Sequence, residues 1–206
     1  MNSKLFYNMT AKIYDILDKT YFADYNKSPR KVVMQSINTN DYVLDICTGT
    51  ATNAINISKN NNNVKIIGID LSDSMLAMAR QKMQNEHITN VELLNMDATK
   101  LSFDDNTFDK ILISLVLHEL DEPIANQILE QAKCVLKDNG EIIITEWELS
   151  KNILRRFLFL PIHLFEPKSY RKFIKKDLNQ YFKELGFNVT EVAHCNYSRV
   201  LKLIKT

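Results

Sequence analysis

Val43-Leu44-Asp45-Ile46-Cys47-Thr48-Gly49-Thr50-Ala51-Thr52-Asn53 reads as a buried strand carrying an acid near its end, a sharp turn at a glycine, and the entry to a helix. Val43, Leu44 and Ile46 form the apolar strand body. Gly49 allows a positive φ, or a close backbone approach that a Cβ would block. The helix that follows points free N–H groups at whatever sits over the turn. An α/β protein makes a cofactor seat in this way, at the carboxyl end of its first strand.

Outward from this stretch, strands and helices alternate. The spacing predicts strands over Tyr42–Ile46, 64–69, Val91–Asn95, 108–116 and 141–147. Helices are expected over 51–58, from an N-cap at Ser72 to about 84, and from Asp121 and Pro123 onward, with a turn at 137–140. Pro29 opens a further helix ending near Ile37. Such alternation implies a mainly parallel sheet. The runs 187–195 and 198–204, joined at Asn196-Tyr197, read as an antiparallel hairpin appended to it.

Composition sets bounds. A chain of 206 residues with 45% hydrophobic and 25% charged residues is expected to be one α/β domain of ordinary globular kind. Its parts are an N-terminal helical lid (1–38), a cofactor-binding core (40–150), a basic and apolar helical insertion (151–185) and the hairpin (186–206). The apolar run 111–117 is too short to span a bilayer, and the N-terminus lacks an apolar signal core. The expectation is a cytoplasmic protein. Three scattered cysteines, Cys47, Cys134 and Cys195, make no CxxC pair and suggest neither a disulfide framework nor a metal site. Residues 1–150 carry 14 Lys and Arg against 21 Asp and Glu, while 151–206 carry 12 against 4. The basic part can therefore face an anionic partner.

Three features narrow the cofactor. Asp70 ends strand two, where a carboxylate accepts hydrogen bonds from a ribose diol. Asp97-Ala98 follows strand three, where the acid accepts from an adenine amino group and its apolar neighbour flanks the ring. The seat itself is Asp-x-x-x-Gly-x-Ala, with no Gly-x-Gly-x-x-Gly to hold a pyrophosphate. An acid at this turn suits a cationic amine better than a diphosphate.

With these residues the chain resembles the class I S-adenosylmethionine-dependent methyltransferases, in the broad group of the ubiquinone/menaquinone C-methyltransferases. Besides the 43–51 stretch, the motifs are Gly68-Ile69-Asp70-Leu71-Ser72-Asp73-Ser74-Met75-Leu76, the 97–109 run, Leu117-His118-Glu119-Leu120 and Val135-Leu136-Lys137-Asp138-Asn139-Gly140. Two departures are Ala51, where the group has a second glycine, and Ser102, where it often has proline. The resemblance implies a Rossmann-like, seven-stranded, mainly parallel sheet with helices on both faces, its last two strands forming the hairpin. It implies S-adenosyl-L-methionine as cofactor. Asp45, Thr48 and Gly49 would hold the methionine part, Asp70 and Leu71 the ribose side, and Asp97 and Ala98 the adenine. Ser114 and Leu115 would contact cofactor and face the acceptor.

A sulfonium methyl is already activated, so transfer needs mostly positioning, plus a base where the acceptor is carbon or hydroxyl. His118, just beyond strand four, is the first candidate base; Glu119 and Glu146 are weaker ones, read as a loop charge and a strand-end partner. Tyr7 and Tyr14 are candidates to line the site from the N-terminal lid. The stretch 151–165 mixes bulky apolar groups with cations and is followed by Lys168, Arg171, Lys172, Lys175 and Lys176. It reads as a helix packed on the sheet with a solvated basic face, as a lid over a lipophilic acceptor, or as a patch that docks on anionic lipid. The expected reaction is methyl transfer to a small or lipophilic acceptor, a quinone-type carbon or a phospholipid or amine nitrogen; the anionic membrane surface is a further expected partner, with no nucleic acid, and the oligomeric state is left open. A nicotinamide oxidoreductase, and a cofactor-binding protein without transferase activity, are the alternatives.

Overall fold

The computed structural model describes residues 24–149 and 168–206. The expected N-terminal lid with Tyr7 and Tyr14, and the apolar and basic stretch 151–165, lie outside the described residues.

The described part is a seven-stranded sheet in the order β3-β2-β1-β4-β5-β7-β6. Its strands are β1 (Tyr42–Ile46), β2 (Lys65–Asp70), β3 (Val91–Asn95), β4 (Phe108–Ser114), β5 (Leu136–Trp147), β6 (Phe187–His194) and β7 (Ser198–Lys205). The first five are parallel; β7 runs antiparallel to β5 and to β6. Helices α1 (Pro29–Gln35), α2 (Thr52–Asn60), α3 (Asp73–Asn85), α4 (Glu122–Val135), α5 (Lys168–Phe173) and α6 (Leu178–Glu184) surround it.

Strand side chains alternate between two cores, as the pleat requires. Leu44, Ile46, Ile111, Ile113, Ile142 and Ile144 bury with Leu129 of α4 and Phe182 of α6. Val43, Ile66, Leu112 and Ile143 bury with Val33 of α1, Ala54 of α2 and Leu76 of α3. Buried on both faces, the central strands read as near-continuous apolar runs. From β1 the chain builds outward to β2 and β3, then crosses to place β4 on the other flank of β1. That reversal opens a crevice at the carboxyl ends of β1 and β4, where ligands of such sheets bind.

The structure corrects three boundaries. The expected turn at 137–140 lies inside β5. This strand starts at Leu136, which pairs with Phe108, and the register resumes only at Glu141, opposite Lys110. Residues 137–140 form a bulge there, tied by Lys137 Nζ to Asp109 Oδ1 at 2.8 Å. Gly140 permits it, because a Cβ would come within 2.7 Å of Leu136 Cδ1 and 2.9 Å of the Asp109 carbonyl. Strand β4 ends at Ser114 rather than 116, because Leu115 turns to a left-handed φ of 55°. Helix α2 begins at Thr52, with Ala51 as a left-handed N-cap that supplies no side-chain bond. The other elements fall within a residue or two of expectation, including the Ser72 hydroxyl capping the Met75 amide. Among the described residues, no helix is long and apolar enough to cross a membrane.

Candidate active site

The turn after β1 is built from alternate left-handed residues: Cys47 at φ 56°, Gly49 at 57° and Ala51 at 55°. Only Gly49 takes this conformation without steric cost; for the other two it costs about 1 kcal/mol each. The backbone amides hold the turn against β2. Thr48 N–H donates to the Ile69 carbonyl at 2.9 Å, and Gly49 N–H to Asp70 Oδ2 at 2.9 Å. A Cβ on Gly49 would meet nothing within 4 Å, so open space lies over this point. Packing is close where β2 meets the turn, since a Cβ on Gly68 would strike Leu93 at 2.9 Å and Thr48 at 3.0 Å.

Three carboxylates line the carboxyl ends of the first three strands. Asp45 is 2% exposed and accepts the Thr48 hydroxyl at 2.6 Å. Burial, opposed by that hydrogen bond and reinforced by nearby Asp70, pushes its carboxyl up to about 7. Asp70 accepts Gly49 N–H on one oxygen and Ser72 N–H on the other, at 2.8 Å. Each oxygen keeps a lone pair. Asp97 Oδ1 accepts both the amide and the hydroxyl of Thr99, at 2.9 and 2.7 Å, and these bonds hold its carboxyl below the usual range. Among the described residues none of the three pairs with a basic side chain. Leu71, 66% exposed, stands beside Asp70, while Ala98 is buried at the base of the seat.

Cys47 sits among these acids. Burial pushes its thiol up to about 12, helped by Asp70, Asp45, Glu119 and Asp97. A thiol held this far from ionisation is no nucleophile. The same couplings place Glu119, from the loop after β4, around the seat.

The fourth wall comes from β4, β5 and α5. Ser114 accepts the Asn53 side-chain amide at 3.0 Å, and Leu115 N–H donates to the Thr145 carbonyl at 2.8 Å. Glu146 is fully buried and clamps the next turn: Oε1 accepts Leu117 N–H at 2.9 Å, and Oε2 lies 2.5 Å from His118 Nδ1. With an ionised carboxylate, which only accepts, Nδ1 is the atom that carries the proton. His118 Nε2 points to Glu119, 3.9 Å from Oε1. Tyr170 of α5 meets the imidazole edge-on at 5.6 Å between centroids, and Ser169 donates to the Glu119 carbonyl at 3.2 Å.

The structure thus brings together Asp45, Thr48, Gly49, Asp70, Leu71, Asp97, Ala98, Ser114, Leu115 and His118 along the carboxyl edge. The sequence reading gave Ser72 only the role of a helix cap and Glu146 only that of a strand-end partner, and it left Thr99 and Asn53 without roles. Ser72 and Thr99 have a sequence signal, since an acid two residues before a hydroxyl residue is an Asx turn. The partnership of Glu146 with His118 has none. Among the described residues no group of three or more His, Cys, Asp or Glu could hold a metal ion.

A parallel sheet with an acid–glycine seat on its first strand, and carboxylates at the ends of its second and third, makes a site suited to a cationic nucleoside. The open space over Gly49, the spare lone pairs of Asp70 and the acid at Asp45 fit S-adenosylmethionine, and the absence of a three-glycine turn counts against a dinucleotide. Residues 43–140 match the family described as a methyltransferase domain. The demethylmenaquinone methyltransferase of Staphylococcus saprophyticus is 34% identical over 145 residues, 69% of this chain and 60% of that protein. That of Oceanobacillus iheyensis is 27% identical over 91% of this chain and 87% of its own length. The fold is that of an S-adenosylmethionine-dependent methyltransferase from Aquifex aeolicus, with a TM-score of 0.76 at 22% identity over 96% of this chain and 98% of the other. Residues 43–140 thus carry a methyltransferase domain, on the fold of the S-adenosylmethionine-dependent methyltransferases. The chain's alignment spans less than two thirds of the Staphylococcus relative.

Proposed function

We propose that the protein transfers the methyl group of S-adenosylmethionine to a ring carbon of a reduced quinone-type acceptor. One observation carries the cofactor half of this reading: Asp45 and Asp70 are locked to the Thr48-Gly49 turn from two adjacent strands, open space lies over Gly49, and among the described residues neither acid has a basic partner. The relatives' names support the acceptor half.

The cofactor supplies a methyl group already activated by a sulfonium charge. The chain supplies position and charge. Asp45 and the Thr48-Gly49 turn would hold the amino acid end, Asp70 the ribose hydroxyls, and Asp97 the adenine amino group, with exposed Leu71 covering apolar surface beside it. The acids around Cys47 make the seat electronegative, which favours a cation over its neutral thioether product. A ring carbon becomes nucleophilic when the neighbouring hydroxyl loses its proton, and His118 Nε2 is the proton acceptor of this reading. The cations Arg171, Lys172, Lys175 and Lys176 would help hold the protein at an anionic membrane carrying a lipophilic acceptor.

Calorimetry with S-adenosylmethionine, S-adenosylhomocysteine and NAD tests the cofactor; saturable binding of the first two and none of NAD is expected. Transfer of labelled methyl from S-adenosylmethionine to dithionite-reduced demethylmenaquinone tests the acceptor. Binding of NAD alone would overturn the first half, and binding of S-adenosylmethionine without transfer would overturn the second.

A further inference from the structure

Two numbers separate the groups beyond β4. The His118 side chain is 1% exposed, and that of Glu119 is 34% exposed. The imidazole is therefore enclosed, by Glu146 at Nδ1 and by Tyr170 at its edge. Of these two groups the carboxylate is the one more accessible to an acceptor hydroxyl. That carboxylate belongs to Glu119, which already acts on the Cys47 thiol in the seat. Its backbone is fixed from both sides, by Glu119 N–H to the Val116 carbonyl at 3.0 Å and by Ser169 at 3.2 Å.

We infer that Glu146, His118 and Glu119 form one proton relay, in which Glu119 meets the acceptor hydroxyl, His118 receives the proton, and Glu146 positions His118. This rests on the methyl-transfer reading above and moves the contact with the acceptor from His118 to Glu119.

The steps balance. The acceptor O–H bond breaks as its proton passes to a Glu119 oxygen, leaving the electron pair on the acceptor. The Glu119 proton then passes to His118 Nε2, which in the neutral ring carries no hydrogen when Nδ1–H is donated to Glu146. The product is an imidazolium flanked by two carboxylates, one buried at 2.5 Å from Nδ1 and one 3.9 Å from Nε2. Opposite charges on both sides favour the protonated ring. The 3.9 Å gap must close for transfer, as catalytic hydrogen bonds do when substrate binds. Glu146 never touches the acceptor. It fixes the ring's tautomer, and by taking Leu117 N–H it fixes the turn that aims Nε2 at Glu119.

Single-turnover methyl transfer to dithionite-reduced demethylmenaquinone, followed across pH, tests the relay in the full chain. Glu119→Gln and His118→Asn should each lose about 100-fold, and the double variant should lose no more than the worse single, as for groups acting as a unit. Glu146→Gln keeps an acceptor for Leu117 N–H but presents an amide donor to Nδ1. It should invert the tautomer, seen in the imidazole nitrogen spectrum of 15N-labelled protein, and depress the rate at every pH. Glu146→Asp should restore the native tautomer in part. Transfer at the wild-type rate in Glu119→Gln, with His118→Asn slow, would place the acceptor directly on His118 and overturn the relay. Additive losses in the double variant would do the same. The nitrogen spectrum needs no acceptor: a His118 titration unmoved by Glu119→Gln would break the relay even where wild-type protein fails to methylate the quinol. That failure alone would count only against the proposed acceptor.

Discussion

The two halves of the crevice are assembled on different length scales. On the cofactor side the bonds that set each acid reach two or three residues: Asp45 to Thr48, Asp70 to Ser72, Asp97 to Thr99. The exception is the single bridge from Gly49 to Asp70. On the acceptor side the partners are far apart: Glu146 to His118 across 28 residues, Ser169 to Glu119 across 50, and Asn53 to Ser114 across 61. Short-range bonds let one half be preorganised by its own turns. The other half is correct only when β5 and α5 are docked. A cofactor seat can thus be kept while the acceptor wall is rebuilt, as suits a fold that carries many chemistries.

The largest effect expected from breaking this division is at Asp70. Asp70→Ala removes the acceptor of two amides and of the ribose diol, at about 1.5–3 kcal/mol per charge-assisted bond. S-Adenosylmethionine affinity should fall about 1000-fold by calorimetry. A loss of less than tenfold would mean that the local half does not read the ribose.

Next is Asp45, tested by pH. Its folded carboxyl titrates at about 7, against an ordinary value of 3.8. Between those values the native state keeps a proton that the unfolded chain has lost, so stability falls as pH rises through this window and levels off above it. At about 1.4 kcal/mol per unit, the cost at pH 8 is on the order of 4 kcal/mol. Without cofactor, Asp45→Asn should melt progressively above wild type from pH 5 to pH 8, while binding S-adenosylmethionine more weakly. Parallel melting curves would show that Asp45 is not the titrating group.

Smaller is the effect on the acceptor side. Glu146→Ala strands Leu117 N–H and His118 Nδ1 in the interior and should lower stability by about 2–3 kcal/mol in chemical denaturation. Cofactor affinity should change less than threefold. A larger change would mean that the two halves are not independent.

The same difference decides what was legible in the sequence. Strand β1, with its run Tyr42 to Ile46, and β3 fall on the expected residues because apolar periodicity and flanking turns are local signals. Asp45, Asp70 and Asp97 could be picked out because each ends or follows such a run. The His118–Glu146 pair could not, because no spacing rule links residues on different strands before their register is known. The bulge at 137–140 was hidden for a related reason. Lys137-Asp138-Asn139-Gly140 has turn composition, and only the pairing of Leu136 with Phe108 shows that the strand has already begun. Strand β4 was drawn too long because a left-handed leucine leaves no trace in composition.

The hairpin at the sheet edge has a consequence for how the protein is made. In space β7 lies between β5 and β6, although it follows both in the chain. Until residues 198–205 are available, β5 presents an unpaired edge of main-chain donors and acceptors, and β6 has no neighbour in the sheet. Glu146 and Trp147, which pair with Arg199 and Ser198, lie on that open edge. The wall that holds His118 is thus among the last parts to be sealed. A nascent or truncated chain could shape its cofactor turns early while still exposing the margin most prone to pair with a second molecule.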